Sequence, residues 1–144
     1  MRLKLLLITL GLVTVILFGL QALGPLTKAD IIEAAVDIKP DTLNLNRQGR
    51  WITVHIKLEG YNVSDIDTSS ILLEGLFAPE WSNIEGDFLM VKFDASGVID
   101  YLWNVLYHMG ANRIRVDLTI AGQLRSGAQF AGMDTITIMD PIKH

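Results

Sequence analysis

The chain contains no cysteine. That excludes a disulfide framework, thiol catalysis and thiolate metal sites, and it leaves burial of apolar surface to supply the stability. Histidine is almost as scarce. His55, His108 and His144 lie far apart, and none falls in a ligand spacing such as H-E-x-x-H. His55 reads as the outer face of a strand, His108 as the end of a helix, where a cation suits the dipole, and His144 as the last residue. There is no G-x-S-x-G elbow and no phosphate-cradling glycine loop.

Basic charge is short as well. The 12 Lys and Arg include Arg2, Lys4 and Lys28, which leaves nine against 16 acidic residues after position 28, a formal charge of −7. An acidic surface repels phosphate backbones, so nucleic acid is excluded as a partner.

One segment lacks charge altogether. After Arg2 and Lys4, residues 5–23 (LLLITLGLVTVILFGLQAL) carry none. A positive start followed by such a run is an export signal. Its length lies between a signal h-region of about 7–15 residues and a bilayer span of about 20, so residues 1–29 read as a signal peptide or as an uncleaved signal-anchor helix. Ala22-Leu23-Gly24 and Thr27-Lys28-Ala29 are the candidate cleavage sites. The charge at the start holds the N-terminus in the cytoplasm and the remainder outside. The expected location is therefore exported, either membrane-anchored with the domain outside or secreted or periplasmic after cleavage.

What remains is long enough for one domain. Residues 30–35 (DIIEAA) read as a tether or a helical turn, and from Val36 the pattern alternates. Val36-Asp37-Ile38-Lys39-Pro40 reads as an edge strand closed by Pro40, which has no amide hydrogen to donate. Residues 42–46 read as a continuation of that pairing, with Leu43 and Leu45 inward. Residues 51–58 give the clearest strand: Ile52, Val54, Ile56 and Leu58 share one face, and Trp51, Thr53, His55 and Lys57 the other. After a polar connection at 60–67, residues 70–74 read as a strand stopped by Gly75, and 81–84 are ambiguous. Residues 88–93 form a strand with Leu89, Val91 and Phe93 inward.

Asp94 or Ser96 can cap a helix, and Val98, Ile99, Leu102, Val105, Leu106 and Met109 follow at helical spacing until Gly110. Residues 113–120 alternate again. Ser126-Gly127 reads as a two-residue turn, and 130–139 returns with Ile136 and Ile138 inward. Gly122 and Gly132 interrupt the two arms, as a bulge or bend does. Six to eight short strands around one crossover helix predict a mainly β domain, an immunoglobulin-like antiparallel β-sandwich over residues 36–140.

Two segments carry a resemblance. Ala35-Val36-Asp37-Ile38-Lys39-Pro40-Asp41-Thr42-Leu43-Asn44-Leu45 and the closing Asp117-Leu118-Thr119-Ile120-Ala121-Gly122-Gln123-Leu124 with Phe130-Ala131-Gly132-Met133-Asp134-Thr135-Ile136 resemble the ends of an uncharacterised immunoglobulin-like module. That module recurs in exported and surface proteins of bacteria and archaea. The resemblance spans residues 35–139 and implies the sandwich fold; no activity is attached to the module as a class. Relatives often carry an aspartate-rich, calcium-loop-like segment before the strand at 89–93. Trp81-Ser82-Asn83-Ile84-Glu85-Gly86-Asp87, with two acids and an apolar Ile, does not reproduce that oxygen cage.

Glu85 and Asp87 near Asp94 could suggest the paired carboxylates of a glycoside hydrolase, yet exposed acids are the rule on an acidic domain. The expectation is no enzyme, no cofactor and no metal. Asn62-Val63-Ser64 is a glycosylation sequon, with Asn62 the acceptor. Trp51, Trp81 and Trp103 are the candidate contact residues: Trp51 lies on a polar face, Trp81 in a loop after Pro79-Glu80, and Trp103 beside the apolar helix stripe and so in the core. The function expected is a non-catalytic envelope module with a structural or protein-interaction role. Its partner is an envelope protein reached through an unpaired edge such as 36–38, or a surface glycan stacked on Trp51 and Trp81.

Overall fold

The computed structural model describes residues 30–46 and 49–142. The expected signal or anchor at 1–29 and His144 lie outside the described residues. No helix among the described residues is long and apolar enough to cross a membrane.

The elements in chain order are β1 (Ile32–Lys39), β2 (Thr42–Asn44), β3 (Trp51–Leu58), a 3-10 turn (Val63–Asp65), β4 (Ile66–Leu73), β5 (Trp81–Glu85), β6 (Phe88–Asp94), α1 (Ala95–Met109), β7 (Arg113–Leu124) and β8 (Gln129–Met139). The domain is mainly β. Its strands form one antiparallel-rich sheet, ordered β4-β7-β8-β1-β3-β6-β5 with β2 also paired to β8, that curls until it is nearly closed into a barrel.

Alternation decides which faces are buried. Ile52, Val54, Ile56 and Leu58 of β3 are at most 4% exposed, and Leu89, Val91 and Phe93 of β6 at most 2%. They meet Ile120, Phe130, Ile136 and Ile138 from β7 and β8 in one continuous core. Each such side chain contributes about 1.5–3 kcal/mol by leaving water. Helix α1 follows β6 without a loop. Asp94 is its N-cap, accepting from the Ser96 amide at 2.8 Å, and Gly110 ends it at φ 64. Val98, Ile99, Leu102 and Leu106 enter the same core, and the helix packs on β6 and β8. Trp103 is partly buried against that core.

Several sequence expectations need correction. Residues 32–35, read as part of a tether, are the first half of β1, with Ile32 and Glu33 paired in parallel to Phe130 and Ala131 of β8. Nor is β1 an edge. Ala34 to Lys39 pair antiparallel with β3, and on the other side the Ile38 amide donates to Asp134 Oδ2 at 2.8 Å. Just past Pro40, β2 joins β8 in parallel and buries Leu43 and Leu45, as the alternation predicts.

The strand read at 70–74 begins earlier, at Ile66, and ends at Leu73. Its stop is a tight turn in which Glu74 (φ 53) and Gly75 (φ 67) are both left-handed and the Leu76 amide donates to the Leu73 carbonyl at 3.0 Å. The polar connection at 60–67 holds the 3-10 turn and buries Val63 and Ile66. Residues 81–85 are strand β5.

The β7–β8 turn centres on Arg125-Ser126 rather than Ser126-Gly127: the Gly127 amide donates to the Leu124 carbonyl at 2.9 Å, and Gly127 follows at φ 94. The β7–β8 register runs unbroken from Arg113↔Met139 to Gln123↔Gln129, so neither glycine breaks that pair; Gly122 instead lies where the β4–β7 register shifts, between Leu72↔Ala121 and Asp67↔Gln123, and Gly132 follows the last parallel β1–β8 pair, Glu33↔Ala131. They mark close approaches. A Cβ at Gly122 would lie 2.8 Å from the Phe130 ring, and one at Gly132 would lie 2.3 Å from the Ala34 carbonyl oxygen.

Candidate interaction surface

Strands β1, β3, β6 and β5 present one outer face, composed by the residues that alternate with the core. The register sets Lys39, Thr53, Lys92 and Trp81 in one row, Asp37, His55, Met90 and Asn83 in the next, and Ala35, Lys57, Phe88 and Glu85 in the third. His55 packs edge-on to Phe88, ring centroids 5.0 Å apart. Lys57 pairs with Asp87 at 2.8 Å, and this hydrogen bond holds the Lys57 ammonium above its usual range and the Asp87 carboxyl below its own. Lys39 lies between Asp37 at 3.3 Å and Asp41 at 2.7 Å, and their hydrogen bonds, that of Asp41 foremost, raise its pKa. These pairs are exposed and fix side-chain orientation more than they add stability. Two shallow, open depressions mark this side, one bordered by Ala35, Asp37, His55 and Phe88, the other by Glu59, Tyr61, Asn62 and Asp87.

Trp51 and Trp81 both belong to this outer face, two strands apart and one row offset. Strand geometry separates their backbones by about 10 Å across the sheet and about 7 Å along it. Each ring has a cation over it: the Arg50 guanidinium lies 5.0 Å from the Trp51 ring centre, and Lys92 Nζ lies 4.9 Å from that of Trp81. Trp81 is 42% exposed and Trp51 half-buried. Trp81, read as a loop residue, is the first residue of β5.

Asn62 is exposed and caps the 3-10 turn. Its Oδ1 accepts from the Ser64 amide at 3.0 Å, and Nδ2, the atom the sequon would offer to a glycan, lies outside that bond. The acids do not converge. Glu85 precedes and Asp87 lies within the β5–β6 turn, with Asp87 held by Lys57, whereas Asp94 caps α1 at the far end of β6, about 20 Å along the strand. The Ser96 hydroxyl and amide lower the Asp94 pKa. His108 Nδ1 lies 2.7 Å from the Asn104 carbonyl oxygen in the last helical turns, remote in sequence and element from His55. No group of three or more metal-ligating side chains occurs among the described residues.

Sequence reasoning missed the sheet edges. The ends of the strand order are β4 and β5, not the 36–38 segment. β4 is irregular, its register with β7 breaking between Asp67 and Leu72, and the Ser70 hydroxyl accepts from the Gln123 amide at 2.8 Å inside the break. β5 keeps regular register with β6 from Trp81↔Lys92 to Glu85↔Phe88, and all five of its residues are exposed. The signal for it was the apolar pair Trp81 and Ile84 on opposite faces of a short strand. No protein-family model, curated protein or solved structure matches the chain.

Proposed function

We propose that this chain is a non-catalytic envelope module, exported or membrane-anchored through residues 1–29, whose immunoglobulin-like domain makes structural or protein-protein contacts. The observation that carries this reading is the strand order. With β1 as strand A, β3 as B, β4 as C, β5 as D, β6 as E, β7 as F and β8 as G, one side reads D-E-B-A. The other reads C-F-G with β2 beside G. That order supports the reading of an immunoglobulin-type sandwich, with α1 as the E–F connection. Cell-surface domains commonly use such a sandwich. The charge-free run at 5–23 supports the outside location, and the regular, exposed β5 edge supports strand-mediated contact.

The test is capture from solubilised envelope with the full chain as bait, together with fractionation of the source cells. The expected result is a specific protein binder and the chain in the envelope fraction. A chain found wholly in the cytosol overturns the proposal.

A second reading is favoured by one specific placement: Trp51 and Trp81 share one sheet face, spaced to stack on an extended surface glycan. Polysaccharide titrations followed by tryptophan fluorescence test it. Quenching or a blue shift lost in Trp81→Ala supports stacking, and a flat response across a broad panel removes it.

A further inference from the structure

We propose that the protein associates with a second copy of itself through β5, the two strands pairing antiparallel about a two-fold axis that passes midway between the two Asn83 residues. The argument begins with the free hydrogen-bonding groups. Residues of an antiparallel strand direct their amide and carbonyl groups alternately to one neighbour and the other. Trp81 pairs with Lys92, whose carbonyl points at β5 and accepts from Glu80 at 2.8 Å, so Trp81, Asn83 and Glu85 are directed at β6. Ser82 and Ile84 therefore point their amides and carbonyls away from the sheet. At the opposite edge, the bulge in β4 and the folded-back Ser70 hydroxyl interrupt the ladder, a common protection against strand addition. β5 has no such protection and carries an exposed apolar side chain on each face, Trp81 at 42% and Ile84 at 48%.

The sequence of β5 is complementary to itself. Antiparallel pairing centred on Asn83 sets Ser82 opposite Ile84 of the second copy, and the converse, so every outward amide and carbonyl of these two residues meets a partner. The same register sets Trp81 opposite Glu85 of the second copy. Lys92 already lies 4.9 Å over the Trp81 ring, so the incoming Glu85 carboxylate reaches an ammonium, and symmetry repeats the pair. Ile84 shares the face of its cross-strand partner Leu89, which is buried. The two Ile84 side chains become diagonal neighbours there and cover one another at the margin of each core. A contact in which residue i meets j and j meets i is isologous and closes at the dimer. With only five residues in each strand the interface is small, and the association depends on concentration.

This narrows the interaction role proposed above to one surface and one partner. Its readout is self-association of the purified chain, which needs neither export nor an envelope partner, so the two proposals fail separately. The absence of cysteine makes the test direct, because one introduced thiol is the only one. In the centred register the two residues at 83 form a non-hydrogen-bonded pair with Cα atoms about 4.5 Å apart, within the disulfide range.

Full-length Asn83→Cys, in detergent and under mild oxidation, is expected to give a covalent species of twice the 16.0 kDa chain. Leu72→Cys on the exposed β4 edge is expected to cross-link about tenfold more slowly, and Ile84→Lys in the Asn83→Cys background to slow the reaction by a similar factor. Sedimentation of the cysteine-free chain should show a mass that rises with concentration and a monomer for Ile84→Lys. Equal rates for Asn83→Cys and Leu72→Cys overturn the proposal. So does cross-linking that survives Ile84→Lys, which would locate self-association elsewhere.

Discussion

The Tyr101 hydroxyl donates to Glu74 Oε1 at 3.1 Å, tying helix α1 to the turn that ends β4. The other oxygen of that carboxylate accepts from the Thr119 amide at 2.8 Å, and the Glu74 amide donates back to the Thr119 carbonyl at 2.8 Å. One side chain thus joins β4, β7 and α1 from a residue held at φ 53, a conformation that a non-glycine residue keeps only when its surroundings fix it. Burial pushes the Glu74 carboxyl above its ordinary value against these two hydrogen bonds, with Asp117 adding to the rise. The Tyr101 phenol is pushed up to about 12, by burial first and then by the adjacent Glu74 charge.

Glu74 gives the stability a dependence on pH. A carboxyl whose folded pKa is raised holds its proton more tightly in the folded chain. Its contribution is complete below the unfolded value near 4.5 and is lost as pH rises through the folded pKa. Glu74→Gln, which keeps an acceptor for Thr119, should remove this loss. Urea melts at pH 4 and pH 7 should show the variant gaining on the wild type as pH rises.

Tyr101→Phe leaves the ring contact with Phe77, at 5.9 Å between centroids, and removes only the hydroxyl. The cost expected is about 1–2 kcal/mol, the range for a hydrogen bond to a charged or partly buried acceptor. Denaturant midpoints with unchanged slope would measure it.

At Gly132 a methyl group meets backbone, the Ala34 carbonyl oxygen at 2.3 Å, which cannot rotate aside. Gly122→Ala meets a ring edge at 2.8 Å, and a ring can tilt. Gly132→Ala should therefore cost more than Gly122→Ala, and overpacking of this kind costs about 1–3 kcal/mol or more. Thermal melts of the two variants give the order.

The Asp134 carboxylate stands in for a ladder bond where β1 and β8 separate. Asp134→Ala leaves the Ile38 amide without that acceptor, at a cost of about 1–3 kcal/mol. Hydrogen exchange at Ile38 should accelerate more than at Val54, which lies opposite it in β3.

Asp94 acts in the opposite pH direction to Glu74. Its lowered pKa means that the helix cap contributes above the ordinary carboxylate value of 3.8 and is lost as pH falls through the folded one. Asp94→Ala should lower the midpoint at pH 7 and make less difference in stronger acid, which helical ellipticity through an acid titration would follow.

How far the sequence reached depended on the range of the forces involved. The inward faces of β3, β6 and β8 follow from a period of two, and the helix from its cap, its apolar spacing and Gly110, because these signals are local. The strand at 32–35 was hidden because Ile-Glu-Ala-Ala has no alternation of its own; what makes it β is a short parallel pairing of Ile32 and Glu33 with residues almost a hundred positions away, and the pairing of Ala34 and Ala35 with the end of β3. Trp51 and Trp81 could be named as contact residues, but nothing local shows that they share a face, since that depends on β6 lying between β3 and β5.

By itself the sequence determined the absence of thiol chemistry, the acidic surface, the charge-free N-terminal run, and the alternating and helical faces that bury the core. Each is a property of composition or of neighbours within a turn or two of chain. Only the tertiary structure decided that β1 is interior and β5 an edge, that Gly122 meets the Phe130 ring and Gly132 the Ala34 carbonyl, and that Glu74 reaches both Thr119 and Tyr101. Strand order and contact are set by which distant segments exclude water together, and no window of sequence contains both partners.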